Sequence, residues 1–314
     1  VNKKIGLSLA SLLGTALAVG GAYFYLFRYN ALPAQTSYSI DWAQAHTLAG
    51  SDGPVSVHSE KVADGEFFGW MLEAGGDWRG HPMEFRTFQL VYANGDTVII
   101  DAVHDHKLHD TMPMMLGYDD RAFAHQQQGM REAVAIVVTH EHFDHAAGLL
   151  SVIGEEAVAQ KMYIPAAQRN SPRIREVGFG DAALARLPAV DYQGMHRLAP
   201  GVVLIAAPGH TPGNQIVYVR LADGSAYAFI SDIAWNAGNF THRAAKSVLI
   251  NLVAHEDAAQ LNQQIAYFAD LLPTSPIHFV IAHDPQWTRD LIDRGFIKPG
   301  LVLKAPETVD YPSL

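Results

Sequence analysis

The sequence predicts an α/β domain built as a sandwich, two sheets with helices outside. Three features lead there. Short apolar runs of strand length alternate with helical patterns, two X-Gly turns mark hairpins, and the strand and helix theme recurs in the second half of the chain. Residues 84–92 and 97–101 are β-rich and flank Asn94-Gly95, a strong hairpin turn signal. Residues 133–138 make a short apolar run of the kind a buried strand makes, and 161–164 another short strand. Further on, 202–206 reads as a strand, and 215–221 with 225–230 as a hairpin across Asp223-Gly224. Residues 256–272 carry Leu261, Ile265, Phe268 and Leu272 on one face at the helical period. Residues 277–281 form a final buried strand.

With 314 residues, 49% hydrophobic and only 17% charged, the chain can bury a sizeable core in one large domain or two modest ones. The net charge of −10 and the lack of any Lys/Arg run argue against a nucleic-acid surface. The absence of cysteine excludes disulfides, thiolate metal sites and Cys nucleophiles. Sixteen histidines are many for this length, so where they cluster matters.

Residues 5–27 are uncharged, follow Lys3 and Lys4, and end at Arg28. About 20 apolar residues suffice to cross a bilayer as a helix. A cleaved signal peptide competes, with Ala16 and Ala18 as its small-residue site. The apolar stretch continues past that site through residues 22–27, and its aromatic residues beside Arg28 suit an interfacial belt. The expectation is an N-terminal transmembrane helix over residues 1–28. The two lysines hold its N-terminus in the cytoplasm and place the domain on the periplasmic side, with a secreted form after cleavage as the alternative. Residues 29–64, polar and mixed with Pro33, Gly50, Gly53 and Pro54, read as a stalk, and residues 65–314 as the domain itself.

The decisive segment is Thr139-His140-Glu141-His142-Phe143-Asp144-His145, directly after an apolar strand. Alternation along an extended chain puts His140 and His142 on one side, where two imidazoles chelate one metal ion. Asp144 and His145 then project from the turn that begins a helix and can reach a second ion. Imidazole and carboxylate suit Zn²⁺, and also Fe²⁺ or Mn²⁺.

The run His140-x-His142-x-Asp144-His145 resembles the signature of the metallo-β-lactamase superfamily. Three later segments resemble that family's remaining motifs in order: Pro208-Gly209-His210-Thr211-Pro212-Gly213, Ser231-Asp232 and Ile281-Ala282-His283-Asp284. The resemblance implies a four-layer αβ/βα sandwich with two divalent metal ions. His140, His142 and His210 would hold the first. Asp144, His145 and His283 would hold the second, with Asp232 shared. A hydroxide bridging such ions attacks a carbonyl or phosphorus without a protein nucleophile, with Asp144 and Asp232 orienting it and carrying its proton. Asp101, at a strand end, matches a family Asp that supports a metal-bound histidine.

Departures from known branches narrow the substrate. No Cys stands at Asp232 as in one β-lactamase class, few residues follow His283, and no room exists for a nuclease insertion. The bridging Asp with a terminal His-Asp pair most resembles the lactonase-like branch, although Trp235 stands where that branch has a Tyr. The expected function is hydrolysis of a small ester or lactone. A β-lactam or phosphoester hydrolase and a non-catalytic, membrane-tethered metal-binding or sensing module are the alternatives. Trp235, Met114 and Met115 are candidates for the substrate pocket, Met being adaptable to an acyl chain, with ordinary packing as the other reading of each. His104, His106 and His109 read as a solvated polar loop, with lining the pocket or binding another metal as the alternatives. The partners expected are a small-molecule substrate and a membrane, with no nucleic acid.

Overall fold

The computed structural model describes residues 2–188 and 190–304, the side chains of residues 2–10 excepted. Strand Thr97–Ile100 is buried along its whole length, which its apolar sequence requires. Side chains alternate along a strand, so Val98 and Ile100 face the space between two sheets while Ile99 faces a layer of helices. Strand Val202–Ala206 repeats the device: Val202 and Leu204 meet the first sheet, and Val203 and Ile205 pack under the outer helices.

The first sheet is seven-stranded, in the order Lys298–Pro299, Ser56–Phe68, Gly80–Val91, Thr97–Ile100, Ala135–Val137, Met162–Tyr163, with Met115–Tyr118 pairing Ser56–Phe68. The second is five-stranded, in the order His278–Val280, Ala226–Phe229, Gln215–Arg220, Val202–Ala206, Met195–Ala199. Together with the outer helices this is the expected α/β sandwich. Thr97–Ile100 runs parallel to Ala135–Val137, and Ala226–Phe229 parallel to His278–Val280. Parallel strands release their following loops at one edge, the usual place for a site in α/β sheets.

The expected hairpins form, with Gly95 at φ 84° and Gly224 at φ 90° supplying the left-handed turn positions. The helix expected at 256–272 spans Ala258–Leu271, because Asp257 caps it by accepting from Gln260 N at 3.1 Å.

Two expectations need correction. Residues 29–64 are no stalk. They carry helix Trp42–Ala49 and the first half of strand Ser56–Phe68, and Ala45 and Ala49 are fully buried against the second sheet. The expected transmembrane helix gains no support: among the described residues, no helix is long and apolar enough to cross a membrane. Helix Asn2–Tyr23 carries Gly14, Thr15, Gly20 and Gly21 among its apolar residues and continues into a π-helical turn, Phe24–Arg28. That turn is docked on the domain. Phe27 O accepts from Gly75 N, Arg28 donates to Gly75 O at 3.1 Å, and the Phe27 ring packs 5.0 Å from Trp70. Lys3, Lys4 and the start of the apolar stretch lie outside the described side chains.

Candidate metal centre

Strand Ala135–Val137 delivers the His-rich run to the edge where the sheets meet. His140 Nε2, His142 Nδ1 and His210 Nε2 converge, at 3.1, 3.2 and 2.9 Å from one another. A neutral imidazole carries one N–H, and in two of these rings it is already committed at the far nitrogen. His210 Nδ1 donates to Glu256 Oε1 at 2.5 Å. His140 Nδ1 donates to Ser231 Oγ at 3.1 Å, whose own hydroxyl donates to Asn214. Lone pairs therefore face each other in a buried space, an arrangement that a shared cation stabilises and its absence leaves repulsive.

A second group lies beside the first. His145 Nε2 and His283 Nε2 are 3.2 Å apart, and Asp144 Oδ2 stands 3.5 and 3.4 Å from them. Their far nitrogens are committed too: His145 Nδ1 donates to Asp101 Oδ2 at 2.9 Å, and His283 Nδ1 to the Glu84 carbonyl at 3.0 Å. Asp232 joins the groups. Its Oδ1 is 3.3 Å from His145 Nε2 and 3.2 Å from His283 Nε2, while Oδ2 is 3.4 Å from His210 Nε2. Oδ1 is buried without a hydrogen-bond donor. Seven side chains thus form two adjacent donor sets, with Asp232 in the second and its Oδ2 also 3.4 Å from His210 of the first, and the donor chemistry fits Zn²⁺, Fe²⁺ or Mn²⁺.

The electrostatics differ between the halves. Burial alone lowers the pKa of His145, but Asp144, Asp101 and Asp232 outweigh it and hold it well above the usual value. His283 is raised in the same way, chiefly by Asp232 against the effect of burial. Burial and neighbouring imidazoles keep His140 and His142 well below it. Burial would raise Asp232, yet His283, His145 and His140 hold it well below the carboxylate range. The second group is an acidic cage that favours positive charge, and the first a set of neutral imidazoles.

Several supporting residues escaped the sequence reading. Glu141, between the two histidines, is fully buried and accepts from Thr211 Oγ1 at 2.7 Å, which ties the His-rich run to the His210 loop. Its place inside the motif was the available signal. Glu256 and Lys246 are also buried beside the centre, and no local pattern marks them. Asp101, just past strand Thr97–Ile100, holds His145 through Oδ2, and its Oδ1 accepts from Thr139 N at 2.6 Å.

A cavity of about 290 Å³ opens onto the donors, lined by His142, Asp144, Asp232 and His283, by the apolar Phe67, Phe85, Phe143, Val177, Trp235 and Ala254, and by the charged pair Arg173 and Glu176. Trp235 is therefore in the pocket, and its Nε1 donates to Asp232 Oδ2 at 2.7 Å. Met114 and Met115 are not in the wall. They pack with Phe67, Phe85 and Tyr118 in the apolar cluster behind it, because Met115 begins a strand that pairs with Gly65. The loop of histidines also differs from expectation. His104 and His109 are buried and face each other at 3.2 Å, and only His106 is exposed, paired with Asp120.

A profile of the metallo-beta-lactamase superfamily matches residues 90–227, the stretch holding the His-rich run and His210. The chain carries a metallo-β-lactamase domain. Asp232 and His283 lie beyond the matched residues, and it is the fold that brings them in. An N-acyl homoserine lactonase from Bacillus sp. is 30% identical over 108 residues, 33% of this chain and 40% of that protein. One from Bacillus thuringiensis is 27% identical over the same lengths. The match thus spans well under half the length of these curated relatives. Among solved structures, a quorum-quenching N-acyl homoserine lactone lactonase superposes with a TM-score of 0.61 at 15% identity, covering 77% of this chain and 97% of that one. An N-acyl homoserine lactone hydrolase with a bound product gives 0.60 at 14%, covering 76% and 96%. At such identities these two structures speak for the metallo-β-lactamase fold.

Proposed function

We propose that the chain is a metal-dependent hydrolase of small carboxylic esters or lactones with apolar tails, using a dinuclear centre. The observation that carries this is the pair of donor sets joined through Asp232 beneath an aromatic-walled cavity. The named activity of the similar lactonases supports the same reading. Two divalent ions held by these residues would supply a nucleophile from water at neutral pH and polarise the scissile carbonyl.

The chain's own residues do the rest. Asp144 faces the cavity and is placed to take the proton of the attacking water and pass it to the leaving alkoxide. His140, His145, His210 and His283 are fixed in tautomer by their outer hydrogen bonds, so their lone pairs stay inward. Phe67, Phe85, Phe143 and Val177 exclude water and accommodate an apolar tail. The indole N–H of Trp235 is engaged by Asp232, so the ring offers the substrate a face rather than a hydrogen-bond donor.

The test is a substrate panel: the chain loaded with Zn, Mn or Fe against acyl lactones, thioesters, a β-lactam and a phosphodiester. Expected is hydrolysis of lactone or ester, abolished by a chelator and by Asp232→Ala. Turnover of the β-lactam or phosphodiester alone moves the substrate class. No turnover by fully metallated protein makes the centre a binding or sensing module.

A further inference from the structure

Beside the two donor sets lies a buried ion pair for which hydrolysis has no direct use. Lys246 and Glu256 are both fully buried, with Nζ and Oε1 2.6 Å apart. Desolvating two charges is costly, and such a pair persists where its remaining hydrogen-bonding capacity is well matched. Here that matching reaches the metal ligands. Lys246 Nζ also donates to the Asp232 carbonyl at 2.9 Å and stands 4.2 Å from the centroid of the Trp235 ring. Glu256 Oε1 accepts from His210 Nδ1 at 2.5 Å, and Oε2 from Asn251 Nδ2 at 2.5 Å. Trp235 Nε1 closes the circuit by donating to Asp232 Oδ2 at 2.7 Å.

We propose that Trp235, Lys246 and Glu256 form a brace that fixes the shared Asp232 carboxylate relative to His210, so that the two donor sets take up their cations as one unit. The inference rests on the reading of these sets as a dinuclear centre. The need for a brace follows from the sheet. His210 follows strand Val202–Ala206, and Asp232 follows Ala226–Phe229. Strand Gln215–Arg220 lies between them, so no strand pairing joins the two loops directly. Besides the Ser231 to Asn214 hydrogen bond, a link runs through the segment from Lys246 to Glu256, whose first residue grips the Asp232 backbone and whose last grips His210 itself. His210 serves the first set alone, whereas Asp232 serves both. A shift between them therefore changes the bite of each set. Trp235 is accordingly a positioning residue: its N–H aims one carboxylate oxygen and its face holds the ammonium.

Zinc alone is the probe. Full-length wild type, Glu256→Gln, Lys246→Met, the double variant and Trp235→Phe are checked for folding by circular dichroism, then titrated with zinc against a chelator well below each melting temperature. Wild type is expected to take two equivalents. The folded single-charge variants are expected to bind both at least about tenfold more weakly, the usual scale for losing a partner of a metal-bound histidine. The double variant should be no worse than the weaker single, as for groups acting together. Trp235→Phe, which keeps the aromatic face, should lose less. Each single-charge variant leaves a buried charge alone and can fail to fold. The double variant and Trp235→Phe bury no lone charge and then carry the test. Wild-type zinc affinity at both sites in those two variants, whatever their melting temperatures, shows a pair that merely packs and overturns the brace. A wild-type chain that binds no zinc overturns the dinuclear reading itself.

Discussion

Asp101→Asn is nearly isosteric, yet it attacks a single lone pair. In the wild type, Oδ1 accepts from Thr139 N at 2.6 Å, and Oδ2 accepts from Thr139 Oγ1 at 3.0 Å and His145 Nδ1 at 2.9 Å. A carboxylate accepts on both oxygens, whereas an amide accepts on one and donates on the other. If the amide oxygen stays with Thr139 N–H, the NH₂ faces His145 Nδ1. The imidazole proton must then move to Nε2, the atom aimed at Asp144, Asp232 and His283. If the amide turns over, two buried donors meet at Thr139. Either arrangement costs about 1–3 kcal/mol, the penalty for a buried donor left without an acceptor. At about 1.4 kcal/mol per tenfold, metal affinity at the second set falls roughly 5- to 150-fold. The first set keeps His140 aimed through Ser231. Chelator competition with elemental analysis should show one of two equivalents weakened and the other close to wild type. Two equivalents held with unchanged affinity would refute the tautomer argument.

Gly213→Ala places a Cβ 2.4 Å from Gln168 Cγ and 2.7 Å from Gln168 Cα, so overpacking should cost about 1–3 kcal/mol, read as a fall in melting temperature. Glu256 is pushed from 4.5 down to about 2, since Lys246 and His210 outweigh the effect of burial. Its carboxylate thus stabilises the fold above pH 4.5 by roughly 3 kcal/mol, and that is lost as pH falls toward 2. Metal-free protein should show this acid limb in denaturant titrations, and Glu256→Gln should lack it. Phe67→Ala removes one wall of the cavity. It should raise KM for long-tailed esters more than for short ones with kcat little changed, the signature of lost uniform binding; a fall in kcat alone would place Phe67 in the chemistry instead.

The His-rich run was legible because its information is local: two imidazoles at i and i+2 after an apolar strand can only point together. Asp232 and His283 were legible through family order, since isolated Asp and His residues at strand ends carry no pattern of their own. The segment 29–64 misled because its apolar residues are scattered among polar ones and only the fold gathers them: Leu32, Tyr38, Ile40, Trp42 and Leu48 pack beside the buried Ala45 and Ala49. For Met114 and Met115 the sequence left two readings, a pocket wall and ordinary core packing. Core packing is what the fold gives them, because the pairing of strand Met115–Tyr118 turns them behind the cavity. Lys246 and Glu256 were invisible because their meaning lies in contacts with Asp232 and His210, residues far off in the chain.

Two non-glycine residues at this centre hold left-handed backbone, Asp101 at φ 63° and Ser231 at φ 57°. Glycine would adopt that conformation with less strain, which for other residues costs on the order of 1–3 kcal/mol. Glycine, however, has no side chain to offer, and each of these side chains holds a ligand. The Asp101 carboxylate takes the N–H of His145, and the Ser231 oxygen takes that of His140. One belongs to each donor set. Backbone strain has thus been retained at the two positions where relieving it would release an imidazole, which is what a centre selected for ligand orientation rather than for loop stability requires.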